Sequence, residues 1–196
     1  YVSYSEGFKA GAFTQRVFPP ALATPTAGPE YVKVYEGGFK SSWFDNRVRL
    51  NGALFFTDYT DLQVNVNQPT GTGGGTVIGT VTDNAASAEI LGFELEMTAL
   101  PIDNALIQLG IGYLDAEYVS FDPTKAIANL DLTDDLINTP KWNINLSGQY
   151  EYNLGEMGTL TPRFDMSYAS KTANDSANHP LLIQKSYALL NLSMTW

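Results

Sequence analysis

The chain carries few residues able to do chemistry: His179 is its single histidine, and there is no cysteine among its 196 residues. Glu94 and Glu96 stand two apart, which puts both carboxylates on one face of an extended strand. With Glu151, Asp165 and Arg163 they form the one patch that invites an acid–base reading. Hydrolysis or acyl transfer by such a patch ordinarily calls for a histidine as base or as partner to a nucleophile. His179 falls in an expected loop before Pro180, where a lone histidine is usually just solvated. A charged strand face facing water needs no reaction to explain it, so no catalytic residue is assigned.

Two other constellations are weighed the same way. The run GTGGGT (71–76) lacks the Gly-Lys-Ser/Thr ending of a phosphate loop and precedes no helical pattern, so it reads as a flexible connection and takes no nucleotide. Asp131, Asp134 and Asp135, with Asp122 nearby, supply the oxygen ligands that a hard cation wants, but their spacing matches no known cage. They read as a solvated acidic loop, with no metal and no cofactor. Asn145, Asn174 and Asn191 begin glycosylation sequons by pattern only. The formal net charge of -10 and pI near 4.4 exclude a nucleic-acid partner, because phosphates are repelled by such a surface.

The elements that must position these residues are strands. No stretch reaches the roughly 18 apolar residues of a membrane-spanning helix, and the first residues show no secretory-signal pattern. Period two, the side-chain repeat of a strand, recurs along the chain. Trp142, Ile144, Leu146, Gly148, Tyr150 and Tyr152 alternate with Asn143, Asn145, Ser147, Gln149 and Glu151. Leu160, Pro162, Phe164, Met166 and Tyr168 alternate with Thr159, Thr161, Arg163, Asp165 and Ser167. Val48, Leu50, Leu54, Phe56, Leu62 and Val64 oppose Arg49, Asn51, Thr57, Asp61 and Gln63; Leu91, Phe93, Leu95 and Met97 oppose Gly92, Glu94, Glu96 and Thr98. Ala105 to Tyr113 and Ala188 to Trp196 repeat the pattern, and less regular strands fall near 1–8 and 32–41.

Connections alternate strictly between long (9–30, 66–86, 120–140, 171–186) and short (42–46, 101–104, 154–157). Membrane barrels have long extracellular loops and short periplasmic turns, so both chain ends belong on the periplasmic side. Aromatic residues toward strand ends, among them Tyr4, Phe8, Trp43, Tyr59, Tyr118 and Trp196, suit the rings that sit at the two membrane interfaces. The expected fold class is all-β, an antiparallel transmembrane β-barrel. A soluble β-sandwich or lipocalin-like barrel also alternates, but its greasy face points inward and its loops are shorter.

The stretches GFKAGAF (7–13) and PEYVKVYEGGFKSSWFDNRVRLNGALFFTDYTDLQV (29–64) resemble the barrel of TonB-dependent receptors. In that family a Pro-Glu pair opens a strand with Tyr-Glu-x-Gly-x-Lys, and after a short turn an Arg-Leu-Asn strand ends in Tyr-x-Asp-x-Gln. Here these are Pro29, Glu30, Tyr35, Glu36, Gly38, Lys40, Arg49, Leu50, Asn51, Tyr59, Asp61 and Gln63. NAASAEILGFELE (84–96) is also similar to the family, and LDAEYVSF (114–121) fits less specifically. Whole receptors of this kind have about 22 strands around an N-terminal plug. The resemblance therefore implies that residues 1–196 are a partial barrel of about eight strands, a fragment without the plug domain and without a TonB box.

What the resemblance implies for function is an outer-membrane receptor and transporter, not an enzyme. It sits in bacterial outer-membrane lipid and captures a scarce small molecule, a ferric siderophore or similar metal chelate. Uptake is driven by the TonB energy-coupling complex acting on the missing plug. Phe13, Phe18, Tyr118 and Phe121, in the external loops, are the expected ligand-binding aromatics. The alternative is a complete eight-stranded outer-membrane barrel with a structural or adhesion role, since a terminal strand ending in Trp196 resembles a barrel-closing signal.

Overall fold

The computed structural model describes residues 1–13, 26–69, 78–122, 132–176 and 178–196. The strands are β1 (Val2–Lys9), β2 (Ala12–Phe13), β3 (Thr26–Ala27), β4 (Glu30–Trp43), β5 (Val48–Pro69), β6 (Ile78–Ala99) and β7 (Ala105–Phe121), followed by β8 (Trp142–Tyr150), β9 (Tyr152–Asn153), β10 (Thr159–Ala169), β11 (Thr172–Ala173), β12 (Ile183–Gln184) and β13 (Tyr187–Thr195). One antiparallel sheet runs β1-β4-β5-β6-β7-β8-β10-β13, with β9 beside β10, so neighbours along the sheet are neighbours along the chain. This is the meander of a barrel wall. It is open: β1 and β13 are its two edges and do not pair with each other. These strands therefore do not form a complete eight-stranded barrel.

Period two becomes two faces because directly paired residues share a side. Across the sheet, Ser41, Leu50, Met97, Leu109, Leu146, Met166 and Leu190 lie in one register row. One residue along, Lys40, Asn51, Glu96, Gly110, Asn145 and Ser167 lie in a row on the opposite face. On that apolar face the row's inner members are half-buried by their neighbours, Leu54 is 60% accessible, and Leu190 and Leu192 on the edge strand are 62% and 76%. A soluble sandwich would bury them. Contiguous apolar surface on this scale is stabilised by an apolar solvent, as on the outside of a membrane barrel.

Aromatic rings frame that surface. Toward the long connections, Tyr4 and Tyr35 stand 5.0 Å apart, Phe93 and Tyr113 5.6 Å, and Tyr113 and Trp142 4.8 Å. Toward the short turns, Tyr150 and Tyr152 stand 4.4 Å apart and Trp196 Nε1 donates to Met157 O at 2.9 Å. From Tyr113 back to Ala105 a strand rises about 26 Å, which at a barrel strand's tilt of roughly 40° gives an apolar height near 20 Å. Glycines let rings cross the seams. A Cβ on Gly52 would lie 2.6 Å from Phe39, and one on Gly148 2.5 Å from Phe164, so each ring covers the bare backbone of its cross-strand partner.

The short connections fall where the spacing predicts. In the first, Phe44, Asp45 and Asn46 have φ of 55°, 53° and 66°, three successive left-handed residues that reverse the chain between Trp43 and Val48. Arg47 ties this turn to the next by donating to Leu100 O at 3.1 Å and Asp103 Oδ1 at 3.0 Å.

Two expectations are corrected. The stretch 66–86 is not mainly a loop: β5 and β6 stay paired beyond the apolar band, from Val64 opposite Asp83 out to Pro69 opposite Ile78. The second correction concerns faces. A register shift between Tyr59 and Leu62, with Asp61 at φ 55°, inserts an extra residue into β5. Beyond this bulge Leu62 and Val64 turn to the inner side, where they pack with Tyr59 and Tyr118 instead of sharing the face of Leu50 and Phe56. Tyr59 and Tyr118 accordingly belong to an inner cluster and not to the outer ring of aromatics.

Candidate functional site: a polar inner wall and its long-connection end

The inner face of the sheet is polar through its middle. Glu96 stands opposite Asn51 and Gly110, Gly110 opposite Asn145, and Asn145 opposite Ser167. An open trough of about 500 Å³ runs between β6 and β13, lined by Glu96, Gln108, Gly110, Asn145, Asp165 and Asn191. Amides, hydroxyls and carboxylates in such rows hydrogen-bond water or a polar occupant, and an antiparallel strand delivers one of them every second residue.

The acidic patch grouped from the sequence is only partly brought together. Glu94 and Glu96 share β6 and its inner face, while Arg163 and Asp165 lie on β10, three strands away across about 14 Å. Arg163 Nε donates to Asp165 Oδ2 at 2.8 Å and Nη1 to Gln149 Oε1 at 3.0 Å, so the guanidinium is held by its own strand and its neighbour. Glu151 is exposed in the break between β8 and β9. His179 is tied into a turn: its N–H donates to Asp175 Oδ1 at 3.0 Å, and its Nδ1 accepts from Leu181 N–H at 3.3 Å. His179 thus caps the short 3-10 turn Pro180–Leu182.

Among the described residues no group of three or more His, Cys, Asp or Glu is arranged to hold a metal ion. Asp135 instead pairs with Lys171 at 2.8 Å. Asp131 and the run 71–76 lie outside the described residues.

The four expected aromatics sit at the long-connection end, in different settings. Phe13 closes β2 and is 69% exposed. Phe18 lies outside the described residues. Tyr118 and Phe121 are not in a loop but in the last turns of β7, which runs on to Phe121. Their rings stand 5.1 Å apart, and Tyr118 is 5% exposed within the cluster of Val64, Val81, Ala85, Ala86 and Ala88. Nearby at the outer rim, Lys141 Nζ donates to Asp115 Oδ1 at 2.8 Å. That hydrogen bond and the carboxylate's charge raise the lysine above its ordinary value.

The motif residues meet at the root of the first long connection. Gln63 N–H donates to Glu30 Oε2 at 3.0 Å, and Gln63 Nε2 to Ala10 O and Gly28 O at 3.0 and 2.9 Å. Asn84 Nδ2 donates to Gly28 O at 3.0 Å and Asp61 O at 2.6 Å. Two side-chain amides thus satisfy carbonyls that the sheet ladder leaves open beside the bulge.

Comparison with known proteins gives this geometry a family. The family model described as TonB dependent receptor-like, beta-barrel matches residues 1–196. Among solved structures, the chain is similar to the ferric yersiniabactin uptake receptor FyuA from Yersinia pestis, at 21% identity and a TM-score of 0.77 over 100% of this chain and 27% of that one. It is also similar to BauA, the ferric preacinetobactin receptor from Acinetobacter baumannii, at 19% identity and a TM-score of 0.67, over 98% of this chain and 26% of that one. A third likeness is to the siderophore receptor PiuA from Acinetobacter baumannii, at 24% identity and a TM-score of 0.63, over 86% of this chain and 22% of that one. The chain therefore spans about a quarter of the length of these solved receptors. With the family match covering its whole length and the open two-faced sheet agreeing with it, the chain belongs to the TonB-dependent receptor family, as part of the β-barrel.

Proposed function

We propose that residues 1–196 are a wall segment, with its external loops, of a bacterial outer-membrane receptor that takes up a ferric siderophore or a similar metal chelate. The observation that carries this reading is the pairing of an exposed apolar band, framed by aromatics, with a polar inner wall on the same strands. Lipid stabilises the first face, and the second suits a water-filled or plugged lumen. In this reading the plug that fills the lumen and answers to the TonB complex is supplied by the rest of the receptor. The similar solved structures, described as receptors for ferric yersiniabactin and ferric preacinetobactin, support the choice of a chelate as cargo.

The chain does no reaction chemistry in this account: its work is shape, polarity and capture. The long connections face outward, and Phe13, Phe18, Tyr118 and Phe121 contribute apolar contacts to the ligand, with Phe13 presented most openly among those described. The inner carboxylates Glu94 and Glu96 face the plug and water.

The test is uptake. A strain lacking the full-length receptor, grown in low iron, is supplied with radio-iron complexed to candidate siderophores. Loss of TonB-dependent accumulation of at least one complex, restored by the intact gene, is the expected result. Unchanged uptake of every complex, with outer-membrane integrity also altered, would favour a structural role instead.

A further inference from the structure

Two long connections, β7 to β8 and β10 to β13, are fastened to each other by a short run of contacts. Asp135 N–H donates to Asn178 Oδ1 at 3.0 Å, and Asn178 Nδ2 donates back to Asp135 O at 2.9 Å. One side-chain amide thereby makes the two hydrogen bonds that a neighbouring strand's peptide groups would make. The carboxylate of the same residue is held by Lys171 Nζ at 2.8 Å. Two residues on, Ile137 bridges Ala173, and Asn138 N–H donates to Ala173 O at 2.9 Å. On its other side Asp135 bridges Glu117 of β7. The strap 132–140 is therefore stitched between β7 and the β10–β13 connection.

The residue between these stitches is apolar and points to the cluster. Leu136 packs against the cluster that holds Val64, Val81 and Tyr118, which are 9%, 1% and 5% exposed. The clasp on either side is built from polar contacts near the surface, each individually weak. A surface clasp holding one apolar plug over an aromatic pair can be released as a unit, and locally opening segments of this kind are common at binding sites.

We propose that residues 132–140 are a lid, fastened by Asp135, Asn178 and Lys171, whose release uncovers Tyr118 and Phe121 as an aromatic floor for a ligand with a flat apolar face. The proposal rests on reading the long-connection end as the side that meets ligand. Because Asp135 belongs to one connection and Asn178 to the other, the two connections are held together while the lid is shut and part when it lifts.

The chain has no cysteine of its own, so one introduced thiol reports cleanly on this stretch. Ala86, 6% exposed, lies in the cluster below the lid. In the full-length receptor carrying Ala86→Cys, a membrane-impermeant maleimide added to intact cells is expected to label slowly. Adding Asn178→Gly removes the amide while accepting the left-handed backbone of φ 49°; labelling should then rise about tenfold, the equivalent of about 1.4 kcal/mol. Lys171→Met, which removes only the ion pair, should give a smaller rise, and Arg47→Met, at the short-turn end of the sheet, none. Heat-modifiable migration of each variant certifies folding. Equal labelling with and without Asn178, or fast labelling in the Ala86→Cys parent, overturns the lid. Labelling needs no chelate, so a receptor that opens on loss of Asn178 yet imports nothing upholds the lid and defeats the uptake reading alone.

Discussion

Gln63 and Glu30 are 33 residues apart, and the Gln63 amide donates to the Glu30 carboxylate at 3.0 Å. Both belong to the motifs by which the sequence resembles its family, and the contact explains why those residue types are needed there. The β4–β5 ladder ends with Tyr31 opposite Thr60, just before the bulge at Asp61, and Gln63 N–H lies beyond that end. A carboxylate at the start of β4 supplies the acceptor, and Lys9 lies 3.6 Å from the same oxygen.

Removing that acceptor leaves a part-buried donor unmet. Glu30→Ala is expected to destabilise the refolded receptor by about 1–2 kcal/mol, and Asn84→Ala, which frees the carbonyl of Asp61 and leaves Gly28 O to Gln63 alone, by a similar amount. Glu30→Gln, which keeps an acceptor oxygen, should recover most of the loss. Denaturant midpoints in detergent measure all three, and an unchanged midpoint for Glu30→Ala would sink this account of the motif.

Adjacent residues on one strand should respond oppositely to the same charge. Leu109 belongs to the outward apolar row and Gln108 to the inner trough. Leu109→Arg places a guanidinium in hydrocarbon and should cost about 2–4 kcal/mol, whereas Gln108→Arg should cost less than about 1. Folding yields into phospholipid vesicles against urea give both numbers.

Glycine positions separate the crowded seams from the open wall. A Cβ on Gly92 would meet Phe55 at 2.5 Å and the backbone oxygen of Tyr113 at 2.7 Å, while one on Gly110 meets nothing within 4 Å. Gly92→Val should therefore lower stability by about 2–3 kcal/mol, and Gly110→Ala should fall within about 0.5 kcal/mol of wild type. The same urea titration decides, and equal effects would contradict the packing described.

At the rim, the Lys141–Asp115 pair predicts a sign for alkaline conditions. The lysine is raised above 10.5, so it stabilises the fold fully below its unfolded value and the contribution is lost as pH climbs through the folded one. With the lysine 55% exposed the effect is small. The urea midpoint of wild type should fall toward that of Lys141→Met above pH 10.5 and not between pH 6 and 9.

Much of the wall was legible in the sequence because period two is a local signal: Trp142 to Tyr150 reads as a strand without knowledge of its neighbours. The alternation of connections was legible for the same reason. The bulge was not, because Asp61 looks like any polar residue of an alternating strand and its left-handed backbone is set by the register of β6. That hidden residue is why simple alternation puts Leu62 and Val64 on the wrong face. The burial of Tyr118 was equally hidden, since its cluster joins Val64 of β5, Val81 and Ala88 of β6 and Leu136, all distant in sequence. Nothing in local spacing announces such a contact.

The central claim, that this sheet separates lipid from lumen, is tested most directly by single cysteines at each position from 105 to 113 of β7 in the full-length receptor, in outer-membrane vesicles. Each is probed with a water-soluble thiol reagent and a lipid-phase one. The account predicts alternation: the odd positions, with Ile107, Leu109 and Ile111, react from the lipid, and the even positions, with Gln108, Gly110 and Gly112, react from water. Reactivity toward water on both faces, or protection of both, would contradict it.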